Sequence, residues 1–116
     1  MASHRDLVVW RRAHALTGRI YHLTASQVRG RAPNTVLQLR RAVESIDANI
    51  AEGAEQPTKP QFRRYLSIAL GSANESDSHL ALLLDLAAMD PQTALDVRDE
   101  LSVIRRMILA LHKALE

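Results

Sequence analysis

An all-α fold, an antiparallel up-down-up-down four-helix bundle, is what this 116-residue sequence predicts. Three observations predict it. Apolar residues recur at alternating steps of three and four along four long segments, the spacing that paints one stripe on a helix. Short breaks containing Gly or Pro separate those segments, and short connections between long amphipathic helices favour antiparallel neighbours. Finally, 47% of the residues are apolar but only 3% aromatic, so Leu, Ile, Val and Ala must build the core. The length suits one domain, 1–116, with a single modest core.

The first helix is expected over about residues 6–27. Leu7, Trp10, His14, Thr17, Tyr21 and Thr24 form its stripe, widened by Ala13, Leu16, Ile20 and Leu23. Arg29-Gly30-Arg31-Ala32-Pro33 breaks it. The second, about 35–54, has Asn34 as the expected N-cap and Val36, Leu39, Val43, Ile46 and Ile50 as its stripe, with Gly53 marking its end. Thr58-Lys59-Pro60-Gln61 reads as a capping box opening the third helix, about 59–89, whose stripe is Phe62, Leu66, Ala69, Ala73, Ser76, Leu80, Leu83 and Ala87. Asp90-Pro91 ends that helix and caps the fourth, about 91–115, with Ala94, Val97, Leu101, Ile104, Ile108, Leu111 and Leu115 along one side.

From Leu80 to Met89 the third helix is apolar almost all round, Asp85 being its one charge. A helix with more than one greasy face buries the second against another subunit, so a homo-oligomer is expected, with Leu80, Leu82, Leu83, Leu84 and Leu86 as interface candidates. Four polar or small residues, Asn49, Glu52, Gly71 and Ser72, are expected to be packing joints. A buried amide needs partners, and a mid-helix Gly implies a close backbone contact that offsets its cost of about 1 kcal/mol.

Several classes of chemistry lack their residues. The absence of cysteine removes disulfides, thiolate metal sites and Cys nucleophiles, and fits a reducing compartment. Glu75 and His79 stand four apart with no second Glu–His pair, which does not make a di-metal bundle. Asp77, Ser78 and His79 are consecutive, so on a helix they point apart and cannot align as a triad. The glycines are scattered and form no phosphate loop. No catalytic residue, cofactor, metal or small-molecule substrate is expected. The start, MASHRDLVVWRR, has no long apolar segment, and the apolar run from Leu80 stops at Asp85. A cytoplasmic protein without a membrane span follows as the expectation.

Charge is segregated beneath a formal net of +2. Residues 1–33 hold six arginines against one acid, and residues 75–100 hold seven acids against Arg98 alone. Arg5, Arg12 and Arg19 stand seven apart and would align along the first helix, with Arg29 and Arg31 extending the line into the loop. These five are the candidate nucleic-acid contacts, since a line of guanidiniums neutralises phosphates and releases counterions. Trp10-Arg11-Arg12 and Phe62-Arg63-Arg64-Tyr65 combine aromatics with arginine as base-stacking surfaces do, but the place of Trp10, Tyr21 and Phe62 on the apolar stripes favours core positions.

LRRAVESIDANIAEG, followed by FRRYLSIALGS and preceded by DLVVWRRAHAL, resembles the bacterial four-helix bundle family named after proteins encoded in 23S rRNA intervening sequences. The likeness runs from about Asp6 to Leu115. It implies a small cytoplasmic bundle that assembles as a ring-shaped homopentamer. The accessory proteins of diversity-generating retroelements are similar, and imply binding to RNA or to a reverse transcriptase through basic surfaces. This chain departs from the family pattern at Asp47, where SIPANIAEG has Pro. It also lacks the basic residues usual near 56–57, and has Glu75-Ser76-Asp77-Ser78 for an ELET-like segment.

The expected function is therefore that of a non-enzymatic oligomeric scaffold binding RNA or an RNA-handling protein through its Arg-rich surfaces. The alternative is a self-assembling interaction module with no nucleic-acid role, its basic N-terminal region pairing with the acidic 75–100 region of the next subunit in a contact that closes a ring. A small-ligand or metal-binding bundle ranks behind both.

Overall fold

The four helices form where the apolar stripes place them, with boundaries set by proline and by local caps. The computed structural model describes residues 3–26 and 30–116. A 3-10 turn, His4–Asp6, precedes α1 (Val8–Ser26), α2 (Pro33–Ala54), α3 (Lys59–Asp85) and α4 (Pro91–Ala114). No strand occurs among the described residues. The helices pack into a body of 44 × 21 × 20 Å, in which α2 lies most extensively against α3.

Each helix start has a local cause. Ser3 accepts from the Arg5 amide while its own N–H donates to Asp6, a capping box that closes the 3-10 turn. Leu7 is then extended, so α1 begins at Val8 rather than near Asp6. α2 opens at Pro33, and Asn34 is not its cap. Proline bars its predecessor from helical geometry, so Ala32 becomes the N-cap without a side-chain hydrogen bond. Thr58 accepts from the Gln61 amide at 3.3 Å as expected, but its hydroxyl donates to the Gln61 side chain at 2.8 Å, so the reciprocal half of the box is replaced. Asp90 caps α4 by accepting from the Thr93 amide at 3.0 Å.

α3 ends at Asp85, four residues short of the expected 89. Ala87 adopts left-handed backbone (φ 52), its N–H donates to the Leu84 carbonyl and the Ala88 N–H to that of Leu83. This is a Schellman turn with Ala where glycine is usual. It folds Ala88 and Met89 into the core, where Leu83 is also buried.

The core stripes of α2, α3 and α4 run as expected through Leu39, Val43, Ile46 and Ile50, through Leu66, Ala69, Ala73, Leu80 and Leu83, and through Ala94, Val97, Leu101, Ile104 and Ile108. In α1 the stripe is centred on Ala13, Leu16, Ile20 and Leu23, so His14 and Tyr21 lie on the exposed flank instead of in the core. Leu80 and Leu83 are wholly buried within the single chain and are not available to a second subunit. Leu84 packs against the core, whereas Leu82 and Leu86 remain exposed.

The joints differ from expectation. A Cβ on Gly71 would meet nothing within 4 Å, so Gly71 makes no close contact within the chain. Gly53, inside α2 rather than after it, is the close-approach glycine: its Cβ would stand 2.8 Å from Tyr65 Cβ and 3.0 Å from Phe62 Cδ1. Asn49 does not cross between helices. Its amide donates to the Ser45 carbonyl and hydroxyl, and Ser45 in turn accepts from Ser72 of α3 at 2.8 Å. Ser72 is thus the joint, and Glu52 is an exposed side chain with no packing role.

Candidate functional site

The expected line of arginines is broken. Arg5 lies in the 3-10 turn, off the α1 helix, with its guanidinium carbon 5.5 Å from the Trp10 ring centre. Arg12 is held by Glu100 of α4 through two hydrogen bonds, Nε at 3.0 Å and Nη2 at 2.5 Å. Those hydrogen bonds first, and then the carboxylate's charge, push the Arg12 guanidinium above its ordinary value. Its fork is committed to a carboxylate, so Arg12 is not a free phosphate contact. Arg19 and Arg31 are exposed, and among the described residues neither has an acidic partner. Arg29 lies outside the described residues. The acidic 75–100 segment is likewise partly used inside the chain: Asp77 accepts from Arg98 at 2.8 Å, which pushes that guanidinium up in the same way.

A second basic region joins the Arg63-Arg64 pair of α3 to cations of α4 that spacing along the sequence does not connect. Segments 56–74 and 101–115 together hold Lys59, Arg63, Arg64, Arg105, Arg106 and Lys113 and no acid. The fold puts the two segments side by side, since a groove of about 90 Å³ is lined by Leu66, Ser67 and Leu70 of α3 and by Ile108, Leu109 and His112 of α4. Nε of Arg63 and Nε of Arg105 are both shut off from solvent and have no hydrogen-bond partner among the described residues. The signal was there as a lack of acids in two stretches forty residues apart, which only the packing of α3 on α4 joins.

A third constellation depends on Asp47. This buried carboxylate accepts from His14 Nδ1 at 2.7 Å and from the Thr17 hydroxyl at 3.4 Å. Trp10 stacks on the His14 ring with centroids 4.6 Å apart, and His4 meets Trp10 edge-on at 4.9 Å. An Asp–His pair orients the imidazole as a base, but a reaction also needs a nucleophile or substrate-holding donors. The pair is a polar clasp between α1 and α2. No group of three metal-ligating side chains occurs among the described residues, and none of their helices is long and apolar enough to cross a membrane. A cleft of about 280 Å³ lies between the 3-10 turn and the α2–α3 connection, with Leu7, Pro57 and Phe62 as walls and Lys59 as its cation.

No curated protein matches this chain. Among solved structures, it is similar to a protein of unknown function from the S23 ribosomal protein family of Bacteroides thetaiotaomicron, with 24% identity and a TM-score of 0.82. That alignment covers 91% of this chain and 96% of the other, and it shows a shared fold. The sequence matches the 23S rRNA-intervening sequence proteins over residues 5–110. With that match across residues 5–110 of 116, the chain belongs to the 23S rRNA-intervening sequence protein family.

Proposed function

We propose that the chain is a non-enzymatic cytoplasmic scaffold that assembles with copies of itself and binds RNA, or an RNA-handling protein such as a reverse transcriptase, through arginine-bearing surfaces. The observation that carries this reading is the surplus of unopposed cations. Arg19, Arg31, Arg41, Arg64 and Arg106 are all exposed and have no acidic partner among the described residues. A surface of that kind gains affinity for a polyphosphate by releasing its counterions. The cross-helix contacts support antiparallel neighbours: His14 meets Asp47 and Thr24 meets Arg40 across α1 and α2, while Ser45 meets Ser72 and Gly53 meets Tyr65 across α2 and α3. In each set the partner number falls as the residue number rises. Resemblance to the family supports a ring of five.

Purifying the protein from its own cells at low salt and identifying what co-elutes tests this reading. RNA that is released as salt rises, from a particle of several subunits, is the expected result. A monomer free of RNA would overturn it.

A second reading, self-assembly without nucleic acid, is favoured by one observation. Ile68, Gly71 and Leu82 share the outer face of α3 and Leu86 follows as its C-cap, all exposed, and Gly71 has open space where its Cβ would be. Multimers that form without RNA, and that show no RNA shift, would select this reading.

A further inference from the structure

We propose that the groove between the N-terminal half of α3 and the C-terminal half of α4 is a binding site for single-stranded RNA, with Arg63 and Arg105 holding its phosphates. The inference rests on the RNA-binding reading and goes beyond it by moving the contact away from α1.

The helical register locates the two arginines. Arg63 stands three, four and seven residues before Leu66, Ser67 and Leu70, and Arg105 stands three, four and seven before Ile108, Leu109 and His112. Each therefore lies on the very edge of its helix that lines the groove. Arg98 of α4 is paired with Asp77 of α3, so Arg105 falls level with Leu70 and Arg63 level with His112. Their backbone positions stand about 10 Å apart along the axis, one toward each end of the groove.

Nε of each is closed off by the chain's own atoms, so a phosphate oxygen is met by the terminal Nη groups of the fork, which no carboxylate among the described residues holds. Arg64 and Arg106, one residue further on, are exposed, as is Lys113. Asp77, one turn of α3 beyond this region, is already occupied by Arg98. Within residues 56–74 and 101–115 no carboxylate opposes these cations, the acids that flank the two segments in sequence being Glu55, Glu75, Glu100 and Glu116.

The groove favours a single strand over a duplex. Its walls are mostly apolar, with Leu109 half exposed at 51%, and an unpaired base or sugar can cover them where a duplex keeps its bases stacked inside. Ser67 and His112 add polar atoms that a ribose 2′-hydroxyl can meet as donor and acceptor. An acidic peptide would satisfy the charges and leave those features unused.

The test is fluorescence anisotropy of an oligouridine of about twenty nucleotides with the full chain, titrated with salt. Neutralising four phosphates of a single strand gives a log–log slope of about −2.8, roughly a fifty-fold loss between about 50 and 200 mM salt. Three double variants carry the same charge change: Arg63→Glu with Arg105→Glu, Arg64→Glu with Arg106→Glu, and Arg19→Glu with Arg31→Glu. The middle pair alters only exposed residues, which guards against loss of folding in the first. Affinity is expected to fall at least tenfold further in the α3/α4 variants than in the Arg19/Arg31 variant. Equal weakening in all three, or greater weakening in the last, would overturn the groove assignment and leave RNA binding intact. Failure of the unaltered protein to bind oligouridine at about 50 mM salt would overturn both. Poly-glutamate binding as tightly as RNA would make the groove a protein-docking site, and a change of particle mass with RNA affinity retained would make it a contact between copies. Either outcome overturns the proposal.

Discussion

Gly53 and Tyr65 touch across α2 and α3 so closely that a Cβ on the glycine would lie 2.8 Å from the tyrosine Cβ. The opposing atom belongs to the chain's own framework and cannot rotate away, so Gly53→Ala forces the helices apart. Chemical denaturation is expected to show a loss of about 1–3 kcal/mol. Gly71→Ala goes the other way. With nothing within 4 Å, the added methyl group gains helix propensity, about 1 kcal/mol of stability at high dilution. If α3 packs against a neighbour through Gly71, sedimentation will show the assembly weakened by that same stabilising change.

Ala87 occupies a left-handed position at the end of α3 with an exposed side chain. Replacing it by glycine relieves the clash of its Cβ with the following carbonyl. Ala87→Gly is expected to raise stability by about 1 kcal/mol, read as a higher denaturation midpoint with an unchanged slope.

His14 and Asp47 clasp α1 to α2 with a carboxylate that is otherwise buried. A double-mutant cycle with His14→Ala and Asp47→Ala should give a coupling of about 1 kcal/mol, reduced by the exposure of the imidazole. Additivity of the two changes would show that the contact contributes nothing.

Tyr21 donates to Glu44 across the same helix pair. That hydrogen bond pushes its phenol above the ordinary value of 10.0, with desolvation and the carboxylate's charge adding and Arg40 opposing. A raised value in the folded state means stability that is full below about pH 10 and lost as pH rises through the folded value. Urea titrations at rising alkaline pH are expected to show this decline in the native chain and a shallower one in Tyr21→Phe. Equal slopes would remove Tyr21 as its source.

Legibility followed the range of the interaction. The α2 stripe was readable because Leu39, Val43, Ile46 and Ile50 repeat within one helix, and the Asp90 cap because its partner is three residues away. The phase of α1 was not, since Trp10 is buried while His14, one turn on, is held at the surface by a carboxylate from α2. Asp47 carried a hint, as an acid where the family pattern has proline, but its partner lies in another helix. The end of α3 was hidden because an alanine performs a glycine's turn. Arg12 was misplaced for the same reason as Arg105 was overlooked: whether a guanidinium is free depends on acids brought near by packing, not on spacing along its own helix.

The separation of charge along α3 and α4 gives the molecule two poles. From Arg64 to Asp85 the α3 axis runs about 30 Å, several times the Debye length of about 8 Å at physiological ionic strength. An approaching partner therefore feels one pole and not the sum, so the near-neutral total of +2 is a poor guide to what this protein attracts. A polyanion would be turned and drawn in basic end first before any contact forms, and the opposite end would repel it, giving the encounter a direction.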